Sequence, residues 1–510
     1  MNTSTRDNNF LWVFILLTIL AVATVLRIWT IGYKSPWLDE VHSLIYARNA
    51  LGHLIDIERT TDIHPPLYFI LLKGWVGLFG EGREAARLFS TLLSLIGIGL
   101  LFAITRKLLG VPAALIAVGF IATFPTSVHY AREIRMYPLL TTLFLLSFLA
   151  FLQLYEDHKN GDEEGFKTGL LLPLIGFSIS LALTFYTHYS AAIFFMLYTI
   201  AAIYFLLRGD KTLFLQILVG LFIATCLVLP QLNHLFSSSL GDPDKGWMEA
   251  TTLRIFYSTT LGAFPYHAAL KPIVLLIMVI GFVLLWARDI SLGVLVFLFT
   301  AGGMLLAALI GIVEPIYLVR TIQVYTVFTG ILVAVALLWM PRMIAAAVGA
   351  LLLAINVYTV ASEQFLPKRV SLLADDIGEM VALLDADRDQ VFAKNYVQRQ
   401  MRLLHVPLFD YAQVISHDQQ EAGIASIREQ TGRCIASAET NGCRSVILII
   451  EKESRFNVEA IAAWNALADE LKAAHQNHYE QQVAEYRVIV LSNDQDFLDR
   501  AADALQRTSN

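Results

Sequence analysis

Again and again this chain runs for about 20 residues without losing its apolar character, the length one helix needs to cross the hydrocarbon core of a bilayer. The first such run extends from Asn9 to Gly32, and others lie near 84–105, 111–129, 138–154, 168–187, 189–207, 212–232, 272–287, 291–312, 318–340 and 343–361. The pattern predicts a polytopic α-helical membrane protein with about eleven transmembrane helices. Composition agrees: 56% of the 510 residues are hydrophobic and 16% are charged, where a soluble domain has about 25% charged residues. The formal net charge of -6 is small for the length and gives no basic footprint for a nucleic-acid partner.

Ala21-Val22-Ala23 imitates a signal-peptidase site, but the apolar stretch continues to Ile31, so the first run reads as an uncleaved helix. With the N-terminus in the cytoplasm, the inside connections are 106–110, 155–167, 208–211, 287–290 and 340–342. Arg106, Lys107, Arg208, Lys211, Arg288 and Arg342 then fall inside, in keeping with the positive-inside tendency. An odd number of spans places the tail outside. Polar character rises from Ser362 onward, and the tail is long enough for one small domain. "VFAKNYV", "RSVILIIEK" and "YRVIVLS" read as strands, and "NVEAIAAWNALADELKAAH" reads as a helix between two of them. The expected division is a transmembrane catalytic domain over 1–362 and a soluble extracytoplasmic α/β domain over 363–510. Cys434 and Cys443 lie in that tail. An even pair in an oxidising compartment predicts a disulfide, with two free thiols as the alternative. Cys226 lies in an apolar run and is expected to be buried.

The predicted outer segments collect the chemically active side chains. The first, 33–83, is too long for a turn. "LDEVHSLIYARNALGHLI" carries helical apolar spacing and reads as an interfacial helix. "HPPLYFILLKGWVGLFG" follows as a run too short to span, opened by Pro65 and Pro66. Asp39 and Glu40 fall at the start of the first of these helices, where carboxylates also serve as caps and meet the helix dipole. Neighbours on a helix point about 100° apart, so the two acids do not face one small site equally. His42 lies three residues on from Asp39, near the same face. A second cluster, "HYAREIRMYPLL", packs Arg132, Glu133, Arg135 and Tyr137 together. The same residue types anchor helices among headgroups, but an acid between two arginines also suits a phosphate site. His188 and Tyr189 in "FYTHYS", and Arg320 in "VEPIYLVRTIQVY", complete the set. All four clusters fall on one predicted face, which suits a reaction with an anionic, lipid-linked substrate.

"WLDEVHS", "HPPLYFILLKGWVGLFGEGREAARLFSTLLS", "YAREIRMYPLL" and "PIYLVRTIQVY" resemble motifs of the GT-C glycosyltransferases. Within these, the resemblance is to the protein mannosyltransferase-like group, family 39 and its bacterial aminoarabinose-transferase relatives. It is strong over residues 35 to 140 and looser to about 340. It implies a polyprenyl-phosphate sugar donor, transfer at the outer face of a cytoplasmic membrane, and an inverting displacement. The acceptor is a lipid, a glycan or a protein. By resemblance Asp39 is the base and Glu40 orients it or pairs, with Glu133 the further carboxylate. His64, Arg132, Arg135, Tyr137, His188, Tyr189 and Arg320 are assigned to substrate and phosphate. Where the family's late motif carries tyrosine or a similar residue after the arginine, this chain has Thr321. No cofactor is assigned. A divalent metal stays open, since Asp39, Glu40, His42, His64, Glu133 and His188 are suitable ligand types in no compact metal spacing. A lipid-linked-sugar transporter predicts ionisable groups in mid-membrane and paired broken helices, and a non-catalytic assembly protein predicts a partner-binding tail. Acceptor choice is expected to involve the tail and the 232–271 segment with its "GDPDKGW" turn.

Overall fold

The computed structural model describes residues 3–32, 36–48, 64–159, 168–234, 249–267, 270–364, 383, 389–394, 413–415, 427–429, 431, 444–451, 458–475, 477–483, 486–492 and 494–507. The expected Cys434–Cys443 bridge and the "GDPDKGW" turn lie outside them. The chain divides into two compact units. One comprises Met1–Ile31 and Tyr46–Leu366, and the other Gly32–Ile45 and Pro367–Asn510. Gly32–Ile45, read from the sequence as part of the membrane domain's outer loop, is thus grouped with the tail.

The first unit is helical. Its elements are α1 (Thr3–Ile28), the end of α2 (Leu38–Arg48), α3 (Leu67–Phe79), α4 (Arg83–Leu109), α5 (Val111–Thr123), α6 (Pro125–Ala131), α7 (Tyr137–Lys159), α8 (Thr168–Phe185), α9 (Ala192–Leu207) and α10 (Lys211–His234). Then come α11 (Leu253–Gly262), α12 (Lys271–Arg288), α13 (Ile290–Phe297), α14 (Gly303–Ile310), α15 (Val319–Ile322), α16 (Thr329–Trp339) and α17 (Arg342–Gln364). Gly110 ends α4 at φ +87°, a conformation open to glycine at little steric cost. Asp289 begins α13 by accepting from the Leu292 N–H at 3.0 Å.

Among the described residues, nine helices are long and apolar enough to cross a membrane, and α5 with α6 makes a tenth if the bent pair counts as one span. The sequence led us to expect about eleven. The difference is the run at 168–187, which forms α8 but whose apolar stretch is only Leu171–Phe185. Helices at the rim show apolar side chains outward, as α1 does with Phe10 and Phe14. Cys226 is also exposed, on α10, rather than buried as expected. The apolar run around it serves the lipid-facing side as well as the core, which composition alone does not distinguish. At the centre lies the segment Val319–Trp339, 89% buried in its apolar window. Around it an aromatic core interlocks: Phe144 stacks on Phe194 at 4.5 Å between ring centroids, and Phe148 meets Phe328 at 4.7 Å.

The second unit holds a five-stranded sheet in the order β2-β1-β3-β5-β4, formed by β1 (Asp389–Lys394), β2 (Gln413–Ile415), β3 (Ser445–Glu451), β4 (His478–Val483) and β5 (Tyr486–Ser492). β1 runs parallel to β2 and β3, while β5 pairs antiparallel with both β3 and β4. One face packs Val446, Leu448, Ile489 and Leu491 against Leu467, Ala468 and Leu471 of α18 (Val458–Ala474). α19 (Gln495–Arg507) buries Phe497, Leu498, Ala501 and Leu505. That spacing is one apolar stripe at helical period. Strand alternation and helical period therefore agree with the α/β reading of the tail. On the surface of this unit Arg487 bonds both Glu480 and Asp469. The Glu480 carboxyl is held at about 2, first by the hydrogen bond from Arg487 and then by Lys472.

Candidate active site

A backbone bond ties the start of α3 to the turn before His188. The Leu67 N–H donates to Tyr186 O at 3.1 Å, which sets the His64-Pro65-Pro66 entry beside the turn that carries His188. Pro65 and Pro66 have no N–H to give, so the segment cannot continue as helix toward its N-terminal side. Next to it, Thr91 of α4 donates to Ala131 O at 3.0 Å and Ser90 donates to Arg135 O at 3.4 Å. These bonds fix the turn 132–136 between α6 and α7.

The result is a convergence of residues far apart in the chain. Arg135 Nη2 lies 3.2 Å from His64 Nε2. Arginine has no acceptor to offer, so Nε2 of His64 accepts and its proton sits on Nδ1. The His64 and His188 rings meet edge to face at 5.6 Å, and Tyr137 lies 6.2 Å from His188. The Ser190 N–H donates to His188 Nδ1 at 3.1 Å, which leaves the His188 proton on Nε2. Burial first, then His64, Arg135 and Arg320, hold His188 well below the usual imidazole range. His188 is therefore neutral at pH 7. Tyr189 accepts from Gln231 Nε2 at 2.8 Å. Arg135 is 3% exposed, so its charge works in a low dielectric.

Arg132 sits differently. Its guanidinium donates to Leu26 O, Trp29 O and Thr30 O at 3.1, 2.7 and 3.2 Å. It therefore closes the C-terminal end of α1, where cations are favoured. It also holds Thr30, whose φ of +55° is uncommon for a β-branched residue. Burial and the neighbouring Arg87 lower the Arg132 guanidinium to about 10. Glu133 Oε1 lies 3.3 Å from His129 Nε2, while its Oε2 is buried without a hydrogen bond from any described residue. Thr321 bonds its own turn, accepting from the Leu318 N–H and donating to Ile316 O.

Asp39 and Glu40 belong to the second unit, in the first turn of α2. There Glu40 Oε2 accepts from the Trp37 N–H at 3.2 Å, an acid reaching back over the helix start. Glu40 is 1% exposed, and Asp39 is partly exposed. His42 lies one turn on and is half-buried. Among the described residues no three His, Cys, Asp or Glu side chains come together as a metal site. Gln231 and Arg87 are two further polar residues of this region that the sequence does not single out. Gln231 shows there only as a polar residue near the end of an apolar run, and Arg87 as a charge near the start of one.

Residues 63–234 match the dolichyl-phosphate-mannose-protein mannosyltransferase family. No curated protein matches in sequence. Among solved structures, ArnT from Cupriavidus metallidurans bound to undecaprenyl phosphate is similar, with a TM-score of 0.59 at 15% identity, over 96% of this chain and 99% of that one. The archaeal oligosaccharyltransferase AglB from Archaeoglobus fulgidus, in complex with an inhibitory peptide and a dolichol-phosphate, gives 0.58 at 12% identity, over 95% of this chain and 75% of that one. The Archaeoglobus fulgidus oligosaccharyltransferase in complex with Zn and sulfate gives 0.56 at 12% identity, over 92% and 72%. The chain is an integral multi-pass membrane protein with a GT-C-like fold, and its mannosyltransferase-family match spans the residues from His64 to Gln231 that build the convergent site.

Proposed function

We propose that this chain is a membrane glycosyltransferase. It moves a sugar from a polyprenyl-phosphate donor to an acceptor hydroxyl or amine at the outer face of the cytoplasmic membrane. One observation carries the reading: in the membrane unit Arg135 meets His64, whose ring packs on His188, which in turn lies beside Tyr137. The His188 imidazole is neutral, and the two cations, Arg135 and Arg320, suit a phosphate. The family match and the lipid phosphates named with the structural relatives support a lipid-phosphate donor.

The chemistry follows from these roles. A lone pair of the acceptor attacks the anomeric carbon while the bond from that carbon to the phosphate oxygen breaks, with inversion. Asp39 takes the acceptor proton, a role that contributes about 10²–10⁴-fold when the base is well placed. The electron pair of the broken bond goes to the departing lipid phosphate, whose growing charge Arg135 and Arg320 stabilise. A phosphate leaving group needs less protonation than an alcohol, so the two-carboxylate scheme of glycosidases is not required. Glu40 holds the start of α2 and so orients Asp39. Glu133 is the further carboxylate, and Tyr137, Tyr189 and His64 contact the substrate. Arg132 supports the α1 end beside them. The tail contributes to acceptor choice.

The test uses purified protein in nanodiscs with a panel of polyprenyl-phosphate sugars. Transfer by the wild type and its loss in Asp39→Asn are expected. Full transfer by Asp39→Asn removes Asp39 as the base. Failure of the wild type with every sugar and acceptor in the panel removes the reading itself. The glycans and glycolipids of cells with and without the gene identify the acceptor.

A further inference from the structure

Arg27 is fully buried in the membrane unit, and the four partners it bonds are all neutral. It donates to Ser94 Oγ at 3.1 Å, Ala23 O at 3.1 Å, Ala122 O at 2.7 Å and Ser127 Oγ at 3.0 Å. An arginine at this depth is expensive, so its partners indicate what it is for. Two of them, Ala122 and Ser127, lie on either side of the bend of 61° between α5 and α6. Pro125 opens α6 without an N–H, so Ile121 O loses its i+4 donor, and the extended Phe124 before it turns the chain so that the neighbouring last carbonyls of α5 lose theirs too. Each needs another donor in hydrocarbon.

Some replacements are local, as Thr123 Oγ1 donating to Phe120 O at 3.2 Å, and others come from distant helices. Phe124 N–H reaches Ile121 O at 3.3 Å. Arg27 of α1 takes Ala122 O. Asn356 of α17, also fully buried, donates to Phe120 O at 3.3 Å and to Thr123 Oγ1 at 3.0 Å. Asn356 is itself held, since Tyr266 donates to its Oδ1 at 2.7 Å. On the other side of the bend, Ser127 accepts from Arg27, and Thr126 donates to Ala263 O at 2.7 Å.

Packing alone does not set the position of α6. A cavity of about 40 Å³, room for roughly three waters by the volume each needs, is lined by Ser94, Ser127, Tyr130, Thr141, Thr142 and Gln323 among others. Arg27 bonds two of these side chains and so braces α6 where close packing is missing. α6 leads directly into the turn that carries Glu133 and Arg135. Tyr130 on α6 meets Tyr137 edge to face at 5.2 Å.

We infer that Arg27 and Asn356 are positioning residues of the candidate active site, which together fix the α5–α6 bend and through it the place of Tyr130, Arg135 and Tyr137. The catalytic half of this inference rests on the glycosyltransferase reading above; the clamp on the bend does not.

The test compares Arg27→Gln, Asn356→Leu and their double variant in nanodiscs. Arg27→Lys and Thr126→Val are the gentler changes for use if the first two do not fold. Ser147→Ala is the control. Ser147 is equally buried and bonds Tyr198 OH at 2.9 Å, but lies about 15 Å along α7 from Tyr137 at 1.5 Å rise per residue. Two readouts are taken: amide hydrogen exchange over 124–136, and kcat and KM for sugar transfer. Faster exchange confined to 124–136 in the clamp variants, absent in Ser147→Ala, is expected. So is a fall in kcat of roughly 10–100-fold, the scale on which a misplaced site loses rate. The double variant should fall short of the product of the singles, because both act on one bend. Unchanged exchange over 124–136 overturns the clamp. Faster exchange there with wild-type kcat and KM overturns the positioning role. If the wild type transfers no sugar, the glycosyltransferase reading fails, and the exchange comparison alone decides whether the clamp exists.

Discussion

Gly281→Ala tests how tightly the membrane unit is built around its central segment. Gly281 of α12 faces the backbone of α16. A Cβ there would lie 1.9 Å from Leu332 O and 2.7 Å from its carbonyl carbon, where ordinary contact begins at 3.4 Å. The helices would have to part by about 1.5 Å, and the obstacle is backbone, which cannot rotate away as a side chain can. The segment that includes α16 is the most buried of the spans, so there is little room to retreat. Overpacking typically costs about 1–3 kcal/mol, and the backbone clash argues for the upper end. In a chain of this size about 3 kcal/mol lowers the unfolding midpoint by several degrees. Thermal unfolding in nanodiscs measures it against Gly99→Ala, where an added Cβ meets nothing within 4 Å. The control should be neutral or slightly stabilised by the better helix former. Because α15 and α16 belong to one span, the displacement should also move Arg320 and raise KM for the donor. Equal midpoints for the two alanine variants would refute the reasoning.

Other expectations follow from the same geometry. Arg135→Ala should weaken donor binding by roughly 10–100-fold, the scale of a lost hydrogen bond between charged groups; Arg135→Lys should recover part of it, since lysine restores charge without the planar fork. Titration of donor affinity by both variants checks this. Glu40→Ala removes the acceptor for the Trp37 N–H and should loosen the first turn of α2, read as faster amide exchange there, with a smaller loss of transfer than Asp39→Asn. His188 has a folded pKa below its unfolded value of about 6.5. Below that pH the unfolded chain gains a proton that the folded chain refuses, so stability should fall as pH drops through 6.5 and be flat above it. His188→Gln should flatten the lower limb in pH-dependent unfolding. Glu480 runs the other way in its cause: its folded carboxyl near 2 lies below the unfolded value of about 4.3. Its contribution is complete above about pH 5 and lost as pH falls toward 2. Arg487→Met should make unfolding of the second unit less sensitive to acid over that window.

What the sequence discloses here depends on whether the signal is local. Spans are local: an apolar run long enough to cross is visible residue by residue, and so was the strand-and-helix alternation of the tail. The short strand Gln413–Ile415 and the polar strand His478–Val483 were not visible. Strand identity there comes from pairing with a neighbour, as Val483 does with Tyr486, rather than from the residues' own pattern. The same division runs through the site. Arg135, Tyr137 and His188 could be singled out because polar residues at span ends stand out. Arg132 stood out equally, yet its guanidinium bonds carbonyls at the end of α1, a partner more than a hundred positions away. Arg27 and Asn356 carry the argument furthest. Each is a single polar residue in a long apolar run, and by position alone it looks like a blemish in a span. Arg27 becomes legible only when the bend at Phe124-Pro125 takes Ala122, 95 residues on, away from its i+4 donor, and Asn356 only when the same bend turns the Phe124 N–H away from Phe120, 236 residues back. In hydrocarbon an unmet carbonyl has no water to turn to, so a proline in one helix creates a demand that other helices must answer. A proline that breaks an apolar run is therefore a reason to look elsewhere in the sequence for isolated buried donors.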